Sequence, residues 1–177
     1  MRWFLFDAQA AILHGVARLS ADIDVTVDLG ARSTAELIGA FSEAGFDLRI
    51  GDTAGMVETT RVLPFVHRSS RIPVDVVLAG PGLEDQFFAG VEERIVGEAH
   101  VPVAPAEDLV AMKVLAGRPR DLDDVAAILR ARRGRLDVHR IRNTLGLLEG
   151  ALARRDLLSE LDRLLILATR GEPPLSA

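Results

Sequence analysis

The chain has 177 residues, 49% apolar and 27% charged, with a formal net charge of −5. That size and balance give a soluble core of one domain, or one domain with a helical extension, and argue against a protein coated in nucleic acid. The absence of cysteine excludes disulfides and thiolate metal sites. A reducing cytosol is the natural expectation for a cysteine-free chain, and no run reaches the ~18 uninterrupted apolar residues that a membrane span needs.

The opening MRWFLFDAQAAILHG reads as a core element rather than a signal peptide. Residues 3–6 are a short apolar run, a buried strand. Residues 7–14 read as a helix, with Asp7 as N-cap and Gly15 as its stop. Residues 22–29 (DIDVTVDL) alternate strictly: Ile23, Val25, Val27 and Leu29 fall on one face, Asp22, Asp24, Thr26 and Asp28 on the other. Period two with β-branched residues is a strand. Ser33 with Glu36 opens a helix over 33–44 in a capping-box pattern, and Gly45 ends it.

Strands are expected over 46–50 and 58–67, with a turn at Gly51–Gly55, and over 73–79, where Pro73 sits at the start. Gly80, Pro81 and Gly82 break the chain; a helix follows over 83–92, then one or two strands over 94–103 around Gly97. Helices are expected over 105–116, 121–133, 137–149 and 156–169. The reading is therefore an α/β (α+β) chain: a mixed-sheet core over 1–104 with helices packed on it, and a helical C-terminal lobe over 105–177 packed on the core.

Asp22 and Asp24 are two apart on a strand, so both carboxylates leave one face. They repel unless a cation sits between them, and Mg²⁺ (or Mn²⁺) prefers hard oxygen ligands of this kind. Asp75 lies inside an apolar strand, where a lone carboxylate is costly; a neighbouring strand that brings it to the same face would complete a three-carboxylate metal site. A solvated acidic strand face is the alternative. His14, His67, His100 and His139 show no ligand spacing for zinc.

The segment FLFDAQAAILHGVARLSADIDVTV resembles the opening of the DNA polymerase beta-type nucleotidyltransferase superfamily: an apolar strand, a small turn, a helix, then an Arg-Ser/Thr-x-Asp-x-Asp run, here Arg18, Leu19, Ser20, Ala21, Asp22, Ile23, Asp24. Val74-Asp75-Val76 matches the strand of the third carboxylate. Within the superfamily the chain is most similar to small bacterial proteins related to AbiEii-type toxins of abortive-infection and toxin–antitoxin systems. Their Glu-Asp-Leu-x-x-x-Lys helix is matched by Glu107, Asp108, Leu109 and Lys113, and their Arg-x-x-Asp-x-x-Asp segment by Arg118, Asp121 and Asp124. The likeness covers roughly residues 3–130.

The resemblance implies transfer of a nucleotide from an NTP to an acceptor hydroxyl. Asp22, Asp24 and Asp75 would be the catalytic metal ligands, with Ala8, Arg18, Ser20, Lys113, Arg118 and Asp121 at the nucleotide. Lys113 as a solvated lysine, Asp121 and Asp124 as ordinary N-terminal helix acids, and Arg18 in a structural ion pair are the plain alternatives. The Arg118–Arg142 basic belt offers a phosphate footprint for an RNA acceptor such as tRNA, against a default of solvated helix ends. A cognate antitoxin is a further expected partner. The run departs from the family at Asp7, where a glycine turn lets the triphosphate approach. That departure favours, as the alternative function, a catalytically weak homologue that binds nucleotide or protein; a purely structural module is the third reading.

Overall fold

The computed structural model describes residues 1–50, 55, 59–80 and 83–170. Most of the turn expected at Gly51–Gly55, the start of the strand expected from 58, and Pro81 and Gly82 of the expected break lie outside the described residues. The chain divides into two compact units, one of Met1–Ala10 with Leu19–Ala104 and one of Ala11–Arg18 with the chain from Pro105 onward. Residues 11–18 thus group with the helical unit rather than with the sheet. Gly15, at φ +101°, turns the chain there, and the position its Cβ would occupy is 3.3 Å from the Ala131 Cβ, an approach that suits glycine alone.

The first unit is a seven-stranded mixed sheet. Its strands are β1 (Arg2–Phe6), β2 (Ile23–Asp28), β3 (Phe46–Leu48), β4 (Val62–His67), β5 (Pro73–Leu78), β6 (Glu92–Val96) and β7 (Ala99–Val103), in the order β3-β4-β5-β2-β1-β7-β6. The β2–β5 and β1–β7 pairs are parallel and the rest antiparallel. Helix α1 (Asp7–Leu13) follows β1 directly, α2 (Thr34–Glu43) follows β2, and α3 (Leu83–Ala89) follows β5. Ser33 caps α2 with the reciprocal Glu36 bond that its sequence predicts.

Apolar rows set the strand register. Leu5, Val25, Val76 and Leu63 are partners across four strands, and all are buried. Phe65 continues this face, and Phe41 of α2 stacks on it with ring centroids 4.4 Å apart. Each buried aliphatic side chain contributes ~1.5–3 kcal/mol, and a one-residue slip would turn the whole row to the other face. On that other face Phe88 of α3 meets Phe4 edge-on at 4.9 Å.

The second unit adds α4 (Ala106–Ala116), α5 (Pro119–Ala131), α6 (Val138–Leu152) and α7 (Leu157–Arg170), for seven helices among the described residues. Helix α4 packs against α5, α6 and α7, is buried on almost every side, and ends at Gly117 in the left-handed conformation. Its polar residues are therefore inside. Asp108 is 2% exposed and accepts two hydrogen bonds from Nη2 of Arg140, at 2.9 and 2.7 Å. Glu107 accepts the backbone N–H of Asp137 at 3.0 Å. Together these bonds tie α4 to the start of α6.

Burial pushes the Asp108 carboxyl up to about 6, against the pull of Arg140 and with a small push from Glu107. Its folded value exceeds its ordinary 3.8, so the native state binds the proton more tightly than the unfolded chain. The stabilisation is full below pH ~4 and is lost as pH rises towards ~6, a swing on the order of 3 kcal/mol. In thermal melts from pH 4.5 to 7.5, wild type should gain stability on acidification relative to Asp108→Asn. A difference between the two that is flat with pH would contradict this.

Candidate active site

The sheet register pairs two of the three predicted carboxylates. Asp24 of β2 is the direct partner of Asp75 of β5, and paired residues of neighbouring strands leave the same face. Asp22 stands just before β2 and two residues from Asp24, so strand alternation gives it that face as well. The row continues through Pro64 on one side and Phe6 on the other. Asp22 is exposed, while Asp24 and Asp75 are half-buried. The loop before β2 is held by Gln9 of α1, whose Nε2 donates to the carbonyls of Ser20 at 3.4 Å and Asp22 at 3.2 Å. The Ser20 hydroxyl donates to the Asp22 carboxylate. Ser20 thus reaches a ligand candidate directly.

Asp28 shares the alternation but not the group. The backbone N–H of Gly30 and the guanidinium of Arg2 hold its carboxyl below the usual range, at 2.9 Å from Gly30 and 2.6 Å from Arg2. At the other end of the face, Asp75 carries a cation that the sequence reading did not include. Arg49, just after β3, donates through Nη2 to Asp75 Oδ1. Nothing local marks Arg49; its reach depends on β3, β4 and β5 being consecutive in the sheet.

The turn from β1 into α1 follows the row at once, because Phe6 is the partner of Asp24. Asp7 there has φ +52°, not the extended conformation of an ordinary N-cap, and it stands as the first residue of α1 rather than before it. An L-residue in this left-handed region costs ~1–2 kcal/mol, with aspartate among the better tolerated. The backbone is thus in a conformation that glycine adopts freely, although glycine is absent. Ala8 is buried, which leaves its backbone as the part able to meet a ligand.

A second polar group lies within the helical unit. Lys113 is 3% exposed, and its Nζ is 3.2 Å from Asp121 Oδ1 and 2.9 Å from Asp124 Oδ2. Arg18 pairs with Asp124, and Arg118 with Asp121 through Nε and, at 3.3 Å, Nη2. Lys113 is therefore not a solvated lysine, and the two aspartates are not ordinary exposed helix acids. Burial pushes Asp121 up, but hydrogen bonds from Arg118 and Lys113 and their charges outweigh it, so its carboxyl lies below the usual range. Arg118, with 68% of its side chain exposed, is the member of this group most open to solvent.

The basic belt divides in the same way. Arg118, Arg140 and Arg142 are paired with Asp121, Asp108 and Asp162. Arg133 and Arg135 donate to the carbonyls of Ala168 and Ala131. Arg120 and Arg130 are exposed on α5.

Removing one partner of a buried ion group leaves the others uncompensated, typically at ~3–5 kcal/mol. Lys113→Met should therefore lower unfolding stability by roughly 3 kcal/mol in urea titrations, and adding Asp121→Asn should recover part of that loss. A loss below ~1 kcal/mol, the size of a surface pair, would show that the group is not a buried network.

Comparison with known proteins follows from this geometry. A crystal structure of an antigenic nucleotidyltransferase-like protein from Paracoccidioides brasiliensis aligns with a TM-score of 0.55 and 14% sequence identity, covering 91% of this chain and 84% of that one. A likeness at that identity speaks for the fold: the mixed sheet and its helices form a nucleotidyltransferase-like α/β fold. No curated protein matches the sequence. The family model described as nucleotidyl transferase AbiEii toxin, type IV toxin–antitoxin system, matches residues 11–173. The chain belongs to the AbiEii nucleotidyl transferase toxin family.

Proposed function

We propose that the chain transfers a nucleotidyl group from an NTP to an acceptor hydroxyl, with Asp22, Asp24 and Asp75 as ligands of Mg²⁺ or Mn²⁺. The observation that carries this reading is the pairing of Asp24 with Asp75 in register, with Asp22 two residues before Asp24 in the chain. The donor set suits the ion: three carboxylates offer hard oxygens and leave room for phosphate oxygens. Arg49 on Asp75 also marks this face as one that takes a cation.

In the reaction, the acceptor oxygen attacks the α-phosphate, a new P–O bond forms, and the bond to the β-phosphate oxygen breaks to release pyrophosphate. The bound ion would supply charge neutralisation at the phosphates. Asp75 would also draw the proton from the acceptor hydroxyl. Asp22 would be oriented by Ser20, and the loop by Gln9. Lys113, Arg18 and Asp121 are assigned to nucleotide binding through the family resemblance. Arg118, being exposed, is the cation best able to meet phosphate oxygens directly.

The acceptor proposed is an RNA such as tRNA, met by the exposed arginines of the belt, in the cytoplasm. Membership of a toxin family makes a cognate antitoxin the natural partner. Among the described residues no helix is long and apolar enough to cross a membrane. Asp7 favours a second reading, a homologue with weak turnover that acts by binding nucleotide or protein.

Two measurements test these readings. With an α-labelled NTP, Mg²⁺ and candidate RNAs, Asp24→Asn and Asp75→Asn should each lower label transfer roughly a hundredfold or more; transfer at wild-type rates would remove both from the chemistry. Asp7→Gly trades left-handed strain of ~1 kcal/mol for glycine's similar entropy cost, so its stability should stay close to wild type. Loss of the carboxylate should tighten Mg-NTP binding, by up to roughly a hundredfold if the turn meets the phosphates in a partly desolvated site. Equal or weaker binding in calorimetric titration would show that this turn does not meet the phosphates.

A further inference from the structure

We propose that Arg49 is the resident counter-cation of Asp75 and competes with the divalent ion for that carboxylate, so that tight metal uptake waits for an anionic ligand to draw the guanidinium away. The inference rests on the reading of Asp22, Asp24 and Asp75 as metal ligands, and adds a residue which that reading does not contain.

Arg49 is anchored rather than loosely tethered. Its backbone N–H donates to the Pro64 carbonyl at 2.8 Å, and its Nε donates to the Phe65 carbonyl at 3.0 Å. Pro64 is the register partner of Asp75, so these bonds carry the side chain across β4 along the carboxylate row. With Nε fixed, Nη2 is delivered to Asp75 Oδ1.

The chemistry of the pair makes it an exchangeable one. A guanidinium does not lose its proton in proteins, so Arg49 gives up Asp75 by moving its side chain, not by deprotonation. The two side chains are 38% and 33% exposed, and pairs that open to water are weak. A divalent ion that also gains Asp22 and Asp24 can therefore compete with it, but leaves the guanidinium without its carboxylate. The displaced guanidinium keeps its donors, and its planar fork suits phosphate oxygens bidentately. A nucleotide that offers those oxygens supplies Arg49 with a new partner. Metal and nucleotide then favour one another through one residue, a coupling that must be reciprocal.

Calorimetric titration of Mn²⁺ tests this in wild type, Arg49→Gln, Arg49→Lys and Asp24→Asn, with and without a non-hydrolysable NTP analogue. Arg49→Gln should bind Mn²⁺ alone roughly threefold to tenfold tighter than wild type. The analogue should strengthen Mn²⁺ binding more in wild type than in Arg49→Gln. A residue that only braced β3 against β4 would give no gain in metal affinity when removed. If Arg49→Gln does not fold, Arg49→Lys carries the same test, because it keeps a charge but loses the fork and the Phe65 anchor. Unchanged or weaker Mn²⁺ binding in the folded variant overturns the role of Arg49 and leaves the metal site standing. Unchanged Mn²⁺ affinity in Asp24→Asn would instead remove the metal site itself.

Discussion

The register between β2 and β5 is the constraint on which the site depends. It places two carboxylates side by side at a strand spacing of ~4.8 Å, where two negative charges repel by on the order of 1–3 kcal/mol even with partial screening. Arg49 offsets the charge of Asp75, but an ion pair open to water does little to set the register. The opposite face sets it: Val25 and Val76 are buried partners in the row that runs from Leu5 to Leu63, and a slip that separated the aspartates would turn them into the core. Hydrophobic burial on one side of the sheet thus holds an unfavourable charge arrangement on the other.

The helical unit solves a different electrostatic problem. Its central helix α4 has almost no solvent face, so Asp108 and Lys113 are carried inside with it and need partners there. Arg140 answers Asp108, while Asp121 and Asp124 answer Lys113 with help from Arg18 and Arg118. Exposed charge remains on Arg118, which pairs with Asp121, and on Arg120 and Arg130. Burial therefore sorts the motif residues of this family into ones that hold the helices in register and ones that face solvent.

Much of this was legible in the sequence. Strict alternation in DIDVTVDL identified β2 and the face shared by Asp22 and Asp24, and an aspartate flanked by valines identified Asp75 as the odd residue of β5. Asp121, Asp124, Val125 and Ile128 recur at helical spacing, so the aspartates of α5 lie within its buried stripe; that pattern signals paired rather than solvated acids. The role of Arg49 was not legible, because its distance from Asp75 along the chain says nothing until β4 is known to lie between them. The φ of Asp7 was hidden for a related reason: an aspartate before a helix looks like a cap, and only the backbone tells a cap from a left-handed turn. The grouping of residues 11–18 with the helical unit is a matter of long-range packing, which composition does not encode.

The central claim is that Asp22, Asp24 and Asp75 hold a divalent ion at one point. Crystals grown with Mn²⁺ and a non-hydrolysable NTP, measured near the manganese absorption edge, address it directly. The account predicts an anomalous peak within ~2.0–2.3 Å of carboxylate oxygens of Asp24 and Asp75, the range of bonds from hard divalent ions to oxygen, with Asp22 completing the protein ligands. An anomalous peak seated elsewhere, or none at the carboxylate row while nucleotide is bound, would contradict it.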